Sequence, residues 1–115
     1  MAESALAKRL ILVLASTAAL SGAQNPKRTF TGTITDNMCA RVGHAQMRMG
    51  PTDAECTIAC IMAHDATYVL EDGKDAYALS DQRTPEKFAG QKVRVVGTLN
   101  TRTRTIQVQS IAVEK

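Results

Sequence analysis

The sequence predicts a mainly β fold: a small five-stranded barrel with one helix inserted between strands 1 and 2 and a short helix between strands 3 and 4. Three observations lead to this prediction. Short segments alternate apolar and polar residues, they are rich in threonine and valine, and turns that contain glycine or proline separate them. The chain has 115 residues, which is enough for one such domain with a small core.

The first 23 residues have the composition of a secretory signal peptide. Lys8 and Arg9 precede an apolar run that begins at Leu10, and Ser21-Gly22-Ala23 supplies small residues for cleavage. The uncharged run is shorter than the ~20 residues of a membrane-spanning helix. We therefore expect export to the periplasm or medium, with no stable membrane insertion after cleavage. The predicted layout is a signal peptide at 1–23, a flexible leader at 24–28 and one domain at 29–115, with its insert at 40–66.

The first strand and the inserted helix follow the leader. Residues 30–36 alternate threonine with large or apolar residues, which is typical of a half-buried strand. Residues 40–51 have no clear period and predict a loop. Thr52 and Glu55 have the spacing of a capping box, so we expect a helix from there to about His64. Its small residues form one narrow stripe, made of Cys56, Ala59, Cys60 and Ala63.

The second half of the chain predicts a hairpin and a short helix. Asp72-Gly73 lies between two apolar runs, at 66–71 and 75–79, and is typical of a hairpin turn. Pro85 near the start and Gly90 at the end predict a short helix over residues 84–90.

Two further strands end the chain. Residues 92–99 alternate, and Gly97 suggests a bend within them. The apolar residues after 105 change phase near Gln109-Ser110, so we expect a bulge there. Apart from the inserted helix, the resulting order of elements is that of an OB-type Greek-key barrel. Closing the barrel removes the open edges of five short strands.

Several segments resemble an uncharacterised family of small exported bacterial proteins, whose members are similar to OB-fold barrels with a cysteine-bearing insert after strand 1. The most specific is the block Phe-Ala-Gly-x-Lys-Val-x-Val-x-Gly at residues 88–97. The resemblance implies the fold and export, but no activity and no site residues. The other segments that carry it are FTGTITDNMC (30–39), CTIAC (56–60), YVL (68–70) and TIQVQSI (105–111).

The three cysteines are the strongest candidates for a site. Residues four apart on a helix have Cβ atoms ~5–6 Å apart, whereas a disulfide needs ~3.5–4.5 Å. Cys56 and Cys60 are therefore unsuited to bond each other, and we expect Cys39 to form a disulfide with Cys60 or Cys56. This bridge would contribute ~3 kcal/mol in the chain-entropy model. It would leave one thiol free to pair with a second chain as a dimer.

An alternative hypothesis makes the sulfurs metal ligands. Cys56 and Cys60 have the spacing of two helical ligands, and His64 continues it by one turn. With Cys39 or His44, these residues would complete a four-ligand site for Zn²⁺ or Cu(I).

A softer donor set lies in the predicted loop. His44, Met47 and Met49 occur within six residues, and imidazole and thioether donors favour Cu(I). The other interpretation is that these methionines fill gaps where the insert packs on the barrel.

Other functional classes have weaker support. The net charge is +3, with two Phe, two Tyr and no Trp, so a stacking surface for nucleic acid is not expected. Arg102 and Arg104 form a small basic tip of the kind with which OB barrels bind oligonucleotides or oligosaccharides. Asp36 and Asp65 are isolated carboxylates, which are more typical of caps or turns than of an acid–base pair.

The sequence therefore predicts an exported, non-enzymatic OB-like binding or envelope domain for an unknown ligand, with no cofactor and with a disulfide from Cys39. Metal binding by the insert is the main alternative, and oligosaccharide or nucleic-acid binding is the third interpretation.

Overall fold

The computed structural model describes residues 25–115. The predicted signal peptide at 1–23 lies outside the described residues, so export stays a prediction. The elements are β1 (Arg28–Asp36), α1 (Asn37–Val42), α2 (Asp53–His64), β2 (Tyr68–Glu71), β3 (Ala76–Leu79), a 3₁₀ helix (Thr84–Phe88), β4 (Lys92–Asn100) and β5 (Thr105–Val113). Among residues 25–115, no helix has both the length and the apolar character needed to span a membrane.

The five strands close into a ring in the order β1-β2-β3-β5-β4, and β4 pairs back onto β1. All neighbours are antiparallel except β3 and β5, which run parallel and pair through Ala78↔Thr105 and Leu79↔Ile106. The mainly β class, the five strands and the positions of the predicted helices between them are confirmed.

The core lies inside this ring and follows from the alternation of the strands. Ile34, Leu70, Val93, Val95 and Ile106 are all 0% exposed, because alternate residues of a strand point to the same face. The alternation stops at the end of β1, where Thr35 and Asp36 are buried as well. Both faces of the strand are covered there because α1 and α2 pack against β1.

The bulge near Gln109-Ser110 is confirmed. Val96 pairs with Ser110, but the next residue, Gly97, pairs with Val108, so Gln109 is the extra residue. Gly97 permits this close pairing, because a Cβ at this position would collide with the backbone oxygen of Gln107.

The helix α1 corrects the sequence prediction. Residues 40–51 were expected to be a loop, but the chain turns from β1 directly into a helix at Asn37 that continues to Val42. The Asp36 side chain accepts hydrogen bonds from the backbone N–H of Met38 at 3.1 Å and of Cys39 at 3.0 Å. Asp36 is thus the N-cap of α1, as its residue type favours.

The helix α2 begins as predicted. Thr52 is its N-cap, and the Thr52 hydroxyl accepts a hydrogen bond from Glu55 N at 3.1 Å. The predicted stripe of small residues is only partly buried: Cys56 and Cys60 are buried, whereas Ala63 is exposed. The N-terminus of α2 lies against Gly90, where a Cβ would be 2.9 Å from Ala54 N.

Ile34 provides a test of the closed core. We expect Ile34→Ala to lower the free energy of unfolding by about 2–5 kcal/mol, because a cavity would remain inside the ring. Urea unfolding at neutral pH measures this change. The control is Val113→Ala in β5, which removes methyl groups from a side chain that is 41% exposed and should cost less than about 0.5 kcal/mol. Equal losses for the two variants would contradict the described core.

Candidate cysteine site

The three cysteines form a second buried cluster beside the main core. Cys39 lies in the first turn of α1, whereas Cys56 and Cys60 lie one turn apart on α2. Their exposed fractions are 3%, 0% and 0%. Met38, Met47 and Ile61 pack around them. The two N-caps, Asp36 and Thr52, set where each helix begins and therefore where its cysteines lie.

The sulfur atoms are in contact but are not bonded. Cys39 Sγ lies 3.7 Å from Cys56 Sγ and 3.9 Å from Cys60 Sγ, and all three sulfurs lie within 4.8 Å of one another. The three residues are free thiols. The structure therefore does not contain the predicted disulfide from Cys39, although it places Cys39 beside both expected partners.

These distances match those between ligands of one metal ion. Zinc binds thiolates at about 2.3 Å in tetrahedral geometry, which puts two ligand sulfurs about 3.8 Å apart. The two contacts of Cys39 have this length without any rearrangement of the helices. Two of the three sulfur–sulfur distances thus match those between ligands of one small ion, and the third is below 4.8 Å.

Burial controls the ionisation of these thiols. It raises the pKa of Cys39 well above the ordinary thiol value, and the neighbouring Asp36 carboxylate adds to the shift. Burial also raises the pKa of Cys60, again with a contribution from the negative charge of Asp36. In the absence of a metal, these two thiols are therefore protonated at neutral pH, and binding of a metal ion would displace their protons.

The loop between the helices folds against Cys56. Met49 N donates a hydrogen bond to Cys56 Sγ at 3.3 Å, and this sulfur donates to the backbone oxygen of Met47 at 3.3 Å. The side chain of Met47 packs against the cysteine cluster, whereas that of Met49 is 39% exposed. The structure thus brings Met47 to the site and leaves Met49 at the surface, with its backbone on Cys56.

His44 lies on the Cys39 side of the cluster. A ring nitrogen of His44, a carboxylate oxygen of Asp36 and Cys39 Sγ all lie within 4.8 Å of one another. His44 Nε2 is 3.2 Å from the hydroxyl of Thr35. His64, the other histidine of the predicted ligand set, is exposed in the last turn of α2, and it does not belong to either group of converging ligand atoms in the described part of the chain.

The sequence predicted only a cap or turn role for Asp36, but the structure also places it beside Cys39 and His44. It is 0% exposed, and its Oδ1 has no hydrogen-bond partner within residues 25–115. The sequence signal for its position was an acidic residue at the end of the predicted strand 30–36. Asp65, the other isolated carboxylate, lies at the C-cap of α2 with φ 54°, far along the chain from the Asp36 cap.

The basic tip at residues 102–104 makes its own contacts away from the cysteines. Arg104 forms a 2.7 Å ion pair with Asp75, and its guanidinium carbon lies 5.5 Å from the centre of the Tyr77 ring. One of the two arginines proposed for oligonucleotide binding is thus engaged with its own chain.

The fold and the site define a small protein with a closed five-stranded sheet and a buried cluster of three cysteines. Residues 61–113 are similar to a family described as "Protein of unknown function (DUF5818)". This match covers slightly less than half of the chain; it includes β2 to β5 but none of the three cysteines. No curated protein and no solved structure matches the chain.

The raised thiol pKa values predict that the reduced, metal-free protein loses stability in alkaline solution. The folded-state pKa of Cys39 and Cys60 lies above the ordinary value of 9.0, so the unfolded chain releases protons that the folded protein keeps. The free energy of unfolding is therefore unaffected well below pH 9 and falls above it, with a slope approaching about 1.4 kcal/mol per pH unit for each thiol.

Urea unfolding at a series of values between about pH 7 and about pH 10 measures this slope. Cys39→Ser is the control, because a serine hydroxyl does not ionise in this range. We expect the free energy of unfolding of the variant to fall less steeply with pH, because one ionising thiol no longer contributes to the slope. A slope that is the same in both proteins would contradict the raised pKa of Cys39.

Proposed function

We propose that this protein binds one thiophilic metal ion, Zn²⁺ or Cu(I), through Cys39, Cys56 and Cys60. The observation that carries the proposal is the convergence of three buried sulfurs from two helices, with Cys39 Sγ 3.7 Å and 3.9 Å from the other two. Thiolates select these ions over harder cations.

The surroundings of the sulfurs support metal binding over simple packing. A buried thiol that only fills space needs no polar partner, but Met49 N donates to Cys56 Sγ. Hydrogen bonds of this kind stabilise a sulfur that carries negative charge, and they orient ligands in metal sites. The unpartnered oxygen of buried Asp36 adds a further polar atom beside Cys39.

The proposed role is binding rather than catalysis. A nucleophilic cysteine has a lowered pKa and is accessible to its substrate, whereas Cys39 is 3% exposed and its pKa is raised. Its neighbours His44 and Asp36 therefore fit a ligand set better than a catalytic one.

The scaffold is proposed to be an OB-like Greek-key barrel that is exported. The strand order β1-β2-β3-β5-β4, with a 3₁₀ helix between β3 and β4, supports the first part. The composition of residues 1–23 supports the second. In an oxidising compartment a disulfide from Cys39 would compete with metal binding.

Metal titration tests the proposal on the full chain, purified with a reductant and freed of metal by a chelator. We expect native mass spectrometry to show one Zn²⁺ or one Cu(I) per chain. The bound ion should protect all three thiols from alkylation, because the sulfurs become ligands. An ion at a hundred-fold excess over its dissociation constant should add about 2.7 kcal/mol to the free energy of unfolding.

Substitutions on α2 test whether the metal ion binds at the cysteine cluster. Cys56→Ser and Cys60→Ser should each abolish stoichiometric binding, whereas Met62→Leu should not, because Met62 lies on the same helix and is 80% exposed. Two results would overturn the proposal. One is a reduced protein that binds neither ion. The other is protein isolated from the cell with one alkylated thiol and a mass two daltons below that of the reduced chain, which identifies a disulfide instead.

A further inference from the structure

The cysteine cluster supplies three ligands, and the structure contains a candidate for the fourth. The converging sulfurs and the group of Asp36, Cys39 and His44 share Cys39. Cys39 therefore has two further donors nearby, one imidazole and one carboxylate, which lie outside the group formed by the three sulfurs. Met47 is the third candidate, because it packs against the cluster.

The ring of His44 is held in the manner of a ligand. Its Nε2 lies 3.2 Å from Thr35 Oγ1, and Thr35 is 3% exposed. When Nε2 carries the ring proton, it donates to this hydroxyl and leaves the lone pair on Nδ1. This Nδ1 is buried and has no hydrogen-bond partner within residues 25–115. Metal-bound histidines characteristically donate their second ring nitrogen to a neighbouring oxygen in this way.

Charge favours imidazole over carboxylate as the fourth donor. Three thiolates already concentrate negative charge in a buried site. Each negative charge that the ion does not compensate adds to the free-energy cost of burial. A neutral imidazole adds none, whereas an Asp36 ligand would add another. Asp36 also has an existing role, because its Oδ2 accepts the two N–H groups that begin α1.

The number of negative charges at the site also favours a divalent over a monovalent ion. Zn²⁺ compensates two of the three thiolate charges, and Cu(I) compensates one. The Asp36 carboxylate, which lies within 4.8 Å of Cys39 Sγ, makes the larger ionic charge more favourable. A set of three cysteines and one histidine is also a frequent ligand set of tetrahedral zinc.

We infer that His44, through Nδ1, completes a tetrahedral zinc site with Cys39, Cys56 and Cys60, and that its ring moves from beside Cys39 toward the two α2 sulfurs when the ion binds. This inference rests on the proposed metal-binding function and adds the fourth ligand and the identity of the ion. The thioether of Met47 then packs beside the site without binding the metal, and His64 has no part in it.

Two variants from the same loop test the inference in the full chain. His44→Ala removes the inferred ligand, and Met47→Ala removes the competing donor. Competition with a chromophoric chelator measures the Zn²⁺ affinity of each reduced protein. We expect His44→Ala to weaken Zn²⁺ binding about ten-fold or more, and Met47→Ala to stay within about three-fold of the parent. Far-ultraviolet circular dichroism confirms that both variants fold.

Cobalt supplies a second readout, because its visible spectrum reports the donor set and geometry of a zinc site. In the parent and in Met47→Ala, Co²⁺ should give the same tetrahedral ligand-field bands. In His44→Ala these bands should shift, while the thiolate-to-cobalt charge-transfer bands remain, because three sulfurs are still bound. His64→Ala should match the parent in both measurements.

The outcomes separate the inference from the proposed function. If the parent binds zinc and His44→Ala binds it equally well with an unchanged cobalt spectrum, the inference is wrong and the three-cysteine site stands. A loss confined to Met47→Ala, together with binding of Cu(I) in preference to Zn²⁺, also overturns it. If the parent binds none of these ions, the proposed function itself is wrong.

Discussion

The position of the whole cysteine cluster depends on one buried carboxylate. Asp36 is the last residue of β1, and its Oδ2 accepts the N–H groups of Met38 and Cys39. These two hydrogen bonds satisfy donors that a helix start otherwise leaves unpaired. Because no linker separates the strand from the helix, the sheet fixes where Cys39 lies. The exposed Thr52 fixes the start of α2 in the same way, and the two helices then bring their sulfurs together.

The described residues form two separate buried clusters. The first fills the ring with aliphatic side chains, and the second gathers the thiols under the two helices. Ile61 packs against both clusters, so it joins the inserted segment to the barrel-like sheet. The thiols make a weaker core than the aliphatic residues, since their surroundings include the polar atoms of Asp36 and of the Met47–Met49 backbone. The sheet therefore carries most of the stability, and the insert holds the three thiols.

The features that depend on local pattern could be predicted from the sequence. Alternation gave the strands, a change of phase gave the bulge at Gln109, and the Thr52–Glu55 spacing gave the start of α2. The six-residue helix α1 was missed because it is too short to show a period. His44 was a candidate ligand from its residue type, but its position beside Cys39 depends on a tertiary contact with Thr35 that no spacing encodes. His64 was expected on the cysteine face, but each step of four residues turns about 40° around the helix, so it departs from Cys56 by twice that angle.

The parallel junction of β3 and β5 has a consequence for how the ring opens. Two residue pairs hold it, whereas β4 and β5 pair along eight positions. Local opening starts where the fewest interactions must be broken, so strand separation is easiest at Ala78 and Leu79. The ion pair of Arg104 with Asp75 lies beside this junction and opposes the separation of β3 from β5. Once parted, the two unpaired edges would be free to join those of another molecule, which makes this junction the natural starting point for strand exchange between copies.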